Sequence, residues 1–154
     1  MREFSFRSEL LLPRKREEVF RFFADAGNLE TLTPPWLNFH VLTPSPIEMH
    51  AGTSIDYRLR VRGLPLKWRS EITAWEPPMR FVDEQRRGPY RKWIHEHRFD
   101  EIGDGTLCTD LVRYSVVGGA LVNRFLVRRD IEKIFAFRTE QLRKLFGEAV
   151  VEPR

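Results

Sequence analysis

Apolar and polar positions alternate at a period of two through most of the chain. The period changes to about 3.6 in the first third and again at the C-terminal end. Phe4, Phe6, Ser8, Leu10 and Leu12 alternate with Glu3, Ser5, Arg7 and Glu9, which predicts a strand over residues 2–12, ended by Pro13. Residues 14–26 then put Val19, Phe22 and Phe23 on one helical face, with Arg14, Lys15, Arg16, Glu17, Glu18 and Arg21 outside it; Gly27-Asn28 supplies the stop. Residues 29–32 predict a second short helix, closed by Pro34-Pro35. Trp36 and Leu37 lie in a loop that enters a short strand over residues 39–42.

From Thr53 the alternation becomes a meander. Thr53, Ile55, Tyr57, Leu59 and Val61 share one face, with Arg58, Arg60 and Arg62 on the other. The next inward sets are Leu66, Trp68, Ser70, Ile72 and Ala74, then Phe81, Asp83 and Gln85, then Trp93, His95, His97 and Phe99. Turns fall at Gly63-Leu64-Pro65, Pro77-Pro78, Gly88-Pro89 and Gly103-Asp104-Gly105, so the strands predict an antiparallel sheet. The run 106–116 admits two facings, because Leu107 and Leu111 oppose Val112 and Tyr114. Gly118-Gly119 ends it. A helix from Ala120 to Gly147 follows, with Ile131, Ile134, Phe135, Leu142 and Leu145 as its apolar stripe; at 1.5 Å per residue it runs about 40 Å, enough to cross a sheet. The expectation is an α+β chain of one domain over residues 1–148, with a tail over 149–154.

The inward set of the Lys92–Phe99 strand is unusual for a core. Two aromatics bracket two imidazoles, and every ring nitrogen of a buried His needs a partner. Asp83 and Gln85, one strand earlier, raise the same demand. A cavity that holds a polar ligand satisfies all of them, so Tyr57, Trp68, Asp83, Gln85, Trp93, His95, His97 and Phe99 are the candidate ligand-binding residues. Arg138, on the buried side of the long helix, is the candidate partner for an anionic head group or for a carboxylate within the domain. Asp83 beside His95 or His97 is also the candidate for general acid–base catalysis. His95 and His97 point the same way, as two metal ligands would. No motif fixes a third ligand, although Asp83 and Asp110 are the possible ones, so no metal and no cofactor are expected.

Composition narrows the classes. A hydrophobic content of 42% over 154 residues fits a sizeable core. No apolar run approaches the roughly 18 residues of a membrane span, so no integral membrane contact is expected. The N-terminus, with Arg2, Glu3 and Arg7, has no signal-peptide core, and a cytoplasmic location is the expectation. The single Cys108 excludes an internal disulfide. The net charge of +4 raises the question of nucleic acid. The basic residues alternate along strands and acids are interspersed, so they predict a solvated sheet face and no specific nucleic-acid binding.

The order strand, two short helices, meander, long helix resembles the START-like, or SRPBCC, superfamily, whose helix-grip fold is shared with the pollen allergen Bet v 1. The resemblance is carried by Val19-Phe20, the run Leu29 to Trp36, Gly52-Thr53, Trp75-Glu76-Pro77-Pro78 before Phe81-Val82-Asp83, Gly88-Pro89 with Trp93, His95 and His97, and Gly105-Thr106 with Asp110. Within the superfamily the chain is most similar to bacterial polyketide cyclase/dehydrase-like ligand-binding proteins. The resemblance implies a curved antiparallel sheet wrapped around the C-terminal helix, with two short helices between the first two strands. It further implies a cavity for a small hydrophobic, aromatic or lipid-like ligand. A cyclase/dehydratase-like enzyme using Asp83, His95 and His97 is the first alternative, and an interaction module for a protein or membrane surface is the second. Fold alone does not choose among them.

Overall fold

A computed structural model describes residues 2–147 of the chain; the expected tail over 149–154 lies outside them. The elements run β1 (Phe4–Leu12), α1 (Arg16–Phe23), α2 (Asn28–Leu32), a 3-10 turn (Pro35–Leu37) and β2 (His40–Val41), followed by β3 (Ser54–Val61), β4 (Leu64–Glu76), β5 (Arg80–Arg87), β6 (Lys92–Ile102) and β7 (Gly105–Ser115). A last helical stretch comprises α3 (Gly119–Val122), a π-helical turn (Asn123–Val127) and α4 (Arg128–Phe146). The seven strands form one antiparallel sheet in the order β1-β7-β6-β5-β4-β3-β2. Every neighbour but one is consecutive in the chain; β1 pairs with β7 from Phe4↔Tyr114 to Leu12↔Thr106 and so brings the first and last strands together. This is the helix-grip architecture expected.

Each element follows from its local pattern. The first turn of α1 carries Glu17 and Glu18 and its last turn Arg21, the arrangement its dipole favours. Gly118 and Gly119 both have positive φ, and a Cβ on Gly118 would meet Val122 Cγ2 at 2.3 Å, so the abrupt change from strand to helix requires glycine there. The two facings open for β7 resolve in favour of Thr106, Cys108, Asp110, Val112 and Tyr114, all buried.

Three expectations need correction. In β4 a register shift between Ile72 and Ala74 turns Trp75 inward, where it packs on Phe20 and Phe81; a bulge inserts one residue and reverses the facing, which alternation alone does not reveal. In α1 the fully buried aromatics are Phe20 and Phe23, with Phe22 only partly covered. In α4, Phe146 is buried and Leu145 is exposed, and the stripe runs Ile131, Phe135, Arg138, Leu142, Phe146.

The packing divides into three clusters. At one end α1 inserts Phe20 and Phe23 against Phe81 and Phe99, with the last turn of α4 behind them. At the other end Val112 and Tyr114 of β7 meet Ile131 and Phe135. Ile55 and Tyr57 of β3 form a third with Phe39 and Trp68. Each fully buried Phe, Ile or Leu contributes about 1.5–3 kcal/mol. The space enclosed between the three clusters and α4 is not filled by side chains.

Candidate functional site

That space is a cavity of about 780 Å³, within the range of small-molecule sites. Its walls are mostly apolar and aromatic, with Tyr57 and Trp68 on one side, Tyr90 and Trp93 on another, and Ile134 and Phe135 on α4. Trp68 and Trp93 meet edge to face at 5.6 Å. Burial raises the pKa of both the Tyr57 and the Tyr90 hydroxyl, so both stay protonated across the physiological range. Asp83, His95, His97 and Arg138 form a joined polar patch in the lining.

Those four residues and Asp110 make one network, in which His95, His97, Asp110 and Arg138 are each between 4% and 9% exposed. The sheet register places Asp83 opposite His95 and Asp110 opposite His97. The hydrogen bonds run along the diagonals instead. His97 Nε2 lies 2.7 Å from Asp83 Oδ2, and His95 Nε2 lies 2.7 Å from Asp110 Oδ1. The expected Asp83–His95 pair is therefore corrected: His95 Nδ1 is 4.0 Å from Asp83 Oδ2, beyond hydrogen-bond reach. Diagonal neighbours on one sheet face stay within reach of long or planar side chains, and the two imidazoles lean together into a stack at 3.7 Å.

Arg138 ties the network to α4. Its Nη2 donates to Asp110 Oδ1 at 3.2 Å and lies 3.4 Å from His97 Nδ1. A guanidinium can only donate, so His97 Nδ1 accepts and its Nε2 carries the hydrogen given to Asp83. The rings of Phe23 and Phe135 flank the guanidinium at 5.0 and 5.7 Å. The Nε–H of Arg138 is buried and has no partner among the described residues.

The charges follow from these contacts. Burial and the neighbouring His95 push the His97 pKa down to about 4, against the raising effect of Asp83, so His97 is neutral near pH 7. Burial alone would raise both carboxylates. The charge of Arg138 and the hydrogen bond from His95 hold Asp110 well below the usual carboxylate range, and the hydrogen bond from His97 does the same for Asp83. Cys108, one residue pair down β7, is raised to about 12 by burial and is a structural thiol.

The remaining sequence candidates fall elsewhere. Gln85 does not line the cavity: its side chain accepts from Tyr90 N at 3.1 Å and donates to Tyr90 O at 2.7 Å, fixing the β5–β6 turn. Phe99 is buried in the aromatic cluster under α1 and does not reach the cavity either. Trp36 covers part of the rim, exposed and edge-on to Phe137 at 6.0 Å. Tyr90 lines the cavity without a sequence signal, and Asp110, which backs the lining through His95 and Arg138, stands out in the sequence only as a possible metal ligand and within the family resemblance. Tyr90 sits in a turn, and Asp110 lay on the strand whose facing was open. Asp83, His95 and His97 offer ligand atoms within 4.8 Å of one another. In this structure His97 Nε2 is hydrogen-bonded directly to Asp83 Oδ2 at 2.7 Å and the two imidazoles stack at 3.7 Å.

Known proteins share this frame. The structure of CV1439 from Chromobacterium violaceum matches with a TM-score of 0.74 at 14% identity, covering 94% of this chain and 98% of that one. The ZhuI aromatase/cyclase from Streptomyces sp. R1128 matches with a TM-score of 0.73 at 12% identity, covering 94% and 96%. The ginseng major latex-like protein 151 from Panax ginseng matches with a TM-score of 0.70 at 10% identity, covering 94% and 97%. At these identities the likeness is one of fold. No curated protein matches the chain significantly in sequence. Among the described residues no helix is long and apolar enough to cross a membrane. The family model for polyketide cyclase / dehydrase and lipid transport proteins matches residues 12–138, and the chain belongs to that family.

Proposed function

We propose that the chain binds a small hydrophobic or aromatic molecule in the cavity between the sheet and α4, with a polar group of the ligand turned toward Arg138 and His95. The observation that carries this reading is the aromatic-walled space of about 780 Å³ meeting a buried Asp–His–Arg network at its polar end. A dry core would leave Arg138 Nε–H without an acceptor, at a cost of about 1–3 kcal/mol; a ligand oxygen supplies one. Asp83 and Asp110 disfavour a second anion beside them, so a carbonyl or hydroxyl suits the site better than a free carboxylate. The binding unit is the domain over residues 1–148, acting in the cytoplasm and without a specific nucleic-acid partner.

A second reading is supported by His95. Its Nε2 is held by Asp110, which Arg138 holds in turn, and its Nδ1 is free of protein hydrogen bonds among the described residues. An imidazole fixed through one nitrogen with the other open is the arrangement of a general base. Acting on a bound ligand with an acidic C–H beside a carbonyl, it would serve the enolisation and dehydration steps of cyclase/dehydratase chemistry.

Trp68 and Trp93 make binding observable. A panel of planar aromatic and fatty compounds should quench tryptophan fluorescence saturably at one equivalent and raise the melting temperature. Native mass spectrometry should show the same stoichiometry. Ile134→Trp, which fills the cavity from α4, should abolish both responses while the protein stays folded. If the responses persist undiminished in that variant, the ligand site is elsewhere.

A further inference from the structure

One exposed surface of the molecule borders the cavity at the junction of β3 and the C-terminal helical stretch. Arg62, at the end of β3, reaches from its turn to Asp130 of α4 at 3.1 Å, and Arg62, Gly63, Val117, Val127 and Asp130 line the cavity where the two elements meet. Around this seam Leu64, Val117, Leu121, Phe125 and Leu126 are between 43% and 70% exposed. Leu64 follows the Arg62-Gly63 turn directly, and Val117 precedes the glycine break. Leu126 lies one helical turn before Asp130. Leu121 and Phe125, four residues apart, extend the apolar strip along the same helical segment. Single exposed apolar side chains are ordinary, but a cluster of five is not.

The charges beside the strip are predominantly basic. Between Gly119 and Arg129 the charged residues are Arg124, Arg128 and Arg129, of which Arg128 is paired with Glu132 at 3.1 Å. Across the seam, residues 57–69 carry Arg58, Arg60, Arg62, Lys67 and Arg69, of which Arg69 is paired with Asp56 at 2.8 Å. Asp130, the nearest carboxylate on the helix, is engaged by Arg62. Arg124 lies over the ring of Phe125 at 5.4 Å, so cation and apolar surface occur in the same place. Exposed leucine and phenylalanine interleaved with arginine match the boundary between lipid head groups and acyl chains. There apolar side chains enter the hydrocarbon edge and guanidiniums meet phosphates. A two-fold contact with a second copy would instead oppose arginine to arginine.

We propose that this face, from Leu64 through Val117 to Leu121, Phe125 and Leu126, docks reversibly on an anionic lipid surface with the cavity-lining seam of Arg62, Gly63 and Val117 turned toward the bilayer. The docking stands on the exposed side chains alone; passage of an apolar ligand between bilayer and cavity rests in addition on the ligand-binding reading above.

Co-sedimentation with vesicles of phosphatidylcholine alone, and of phosphatidylcholine mixed with phosphatidylglycerol, tests it. The wild type should bind the mixed vesicles at least about tenfold more tightly than the neutral ones and lose affinity as salt rises. Leu121→Ser/Phe125→Ser should lower that affinity by about tenfold or more. Arg124→Gln/Arg129→Gln should narrow the preference for the anionic vesicles. None of these four residues lines the cavity, so melting temperature and ligand quenching should not change. The proposal is overturned if the wild type binds neither vesicle, or if all three proteins bind alike. It is equally overturned if sedimentation equilibrium shows a dimer that Leu121→Ser/Phe125→Ser dissociates, since a second copy then covers the face. Vesicle binding without any ligand response would retain the docking and remove only the cavity reading.

Discussion

Lowering the pH from 7 to 5 should cost the protein about 2 kcal/mol of stability, most of it through His97 alone. The folded state holds this imidazole neutral, with its pKa moved from the ordinary 6.5 down to about 4 by burial and by His95. An unfolded chain exposes it and takes up the proton. The sign is therefore that of a depressed group: its stabilising contribution is complete above pH 6.5 and is lost as the pH falls toward 4. The full difference corresponds to about 3 kcal/mol, of which about 2 kcal/mol falls between pH 7 and pH 5. Asp83 and Asp110 are also held below the usual range, but carboxylates give up their share only as the pH drops to about 4 and lower. Urea melts at the two pH values, read by tryptophan fluorescence, give the quantity directly. His97→Gln keeps an N–H for Asp83 but cannot titrate, and should flatten the pH dependence. If wild type and His97→Gln lose the same stability on acidification, His97 is not the group responsible and its assignment as a neutral donor to Asp83 is wrong.

Asp83→Leu leaves His97 Nε2–H buried without an acceptor and should cost about 1–3 kcal/mol in denaturant melts, whereas Asp83→Leu/His97→Phe, which removes both partners, should recover most of the loss. Phe135→Ala empties the contact of α4 with His95, Phe6 and Val112 and should cost about 3–5 kcal/mol, measured the same way. Elemental analysis of protein purified without chelators should find no stoichiometric zinc, iron or copper; a one-to-one metal content would show that the imidazoles rotate out of their stack to meet at Asp83.

Much of the frame was legible in the sequence, because a period of two with turn residues between runs has few other solutions. Trp93, His95 and His97 face inward in the structure as the alternation requires, and the long helix begins at the Gly118-Gly119 break. What failed has a common cause: a tertiary or local irregularity that periodicity does not encode. The β4 bulge exchanges Ala74 for Trp75. Gln85 faces inward by count, but it lies at the strand end, where two backbone groups of Tyr90 claim it. The contribution of Arg138 was visible only as a cation on an apolar stripe. Its partners became definite once β7 was known to turn Asp110 inward, and the two facings of that strand were balanced in apolar content. Leu121, Phe125 and Leu126 fall within the expected helix but outside its apolar stripe, and the structure leaves them exposed, since a helix with apolar residues on several faces does not indicate which one is covered.

The two histidines differ in what their nitrogens are left to do. His97 has both occupied, giving one hydrogen bond to Asp83 and accepting one from Arg138, and the stacked ring of Phe81 covers it at 4.1 Å. Nothing remains for a ligand, so His97 positions its neighbours. His95 spends only Nε2, on Asp110, and keeps Nδ1 open. Asp110 in turn is held by Arg138, so a motion of α4 that shifts Arg138 would loosen the orientation of His95 as well as the wall of the cavity. A buried ionic network of this kind adds little net stability over an apolar one of the same volume, because the desolvation of its charges offsets their attraction. Its effect is to fix one imidazole nitrogen relative to the space beside it. A binding protein needs that fixation for orientation, and an acid–base enzyme needs it for proton transfer. The same five residues therefore support both readings, and the outcome depends on whether the bound molecule brings a proton that His95 Nδ1 can take.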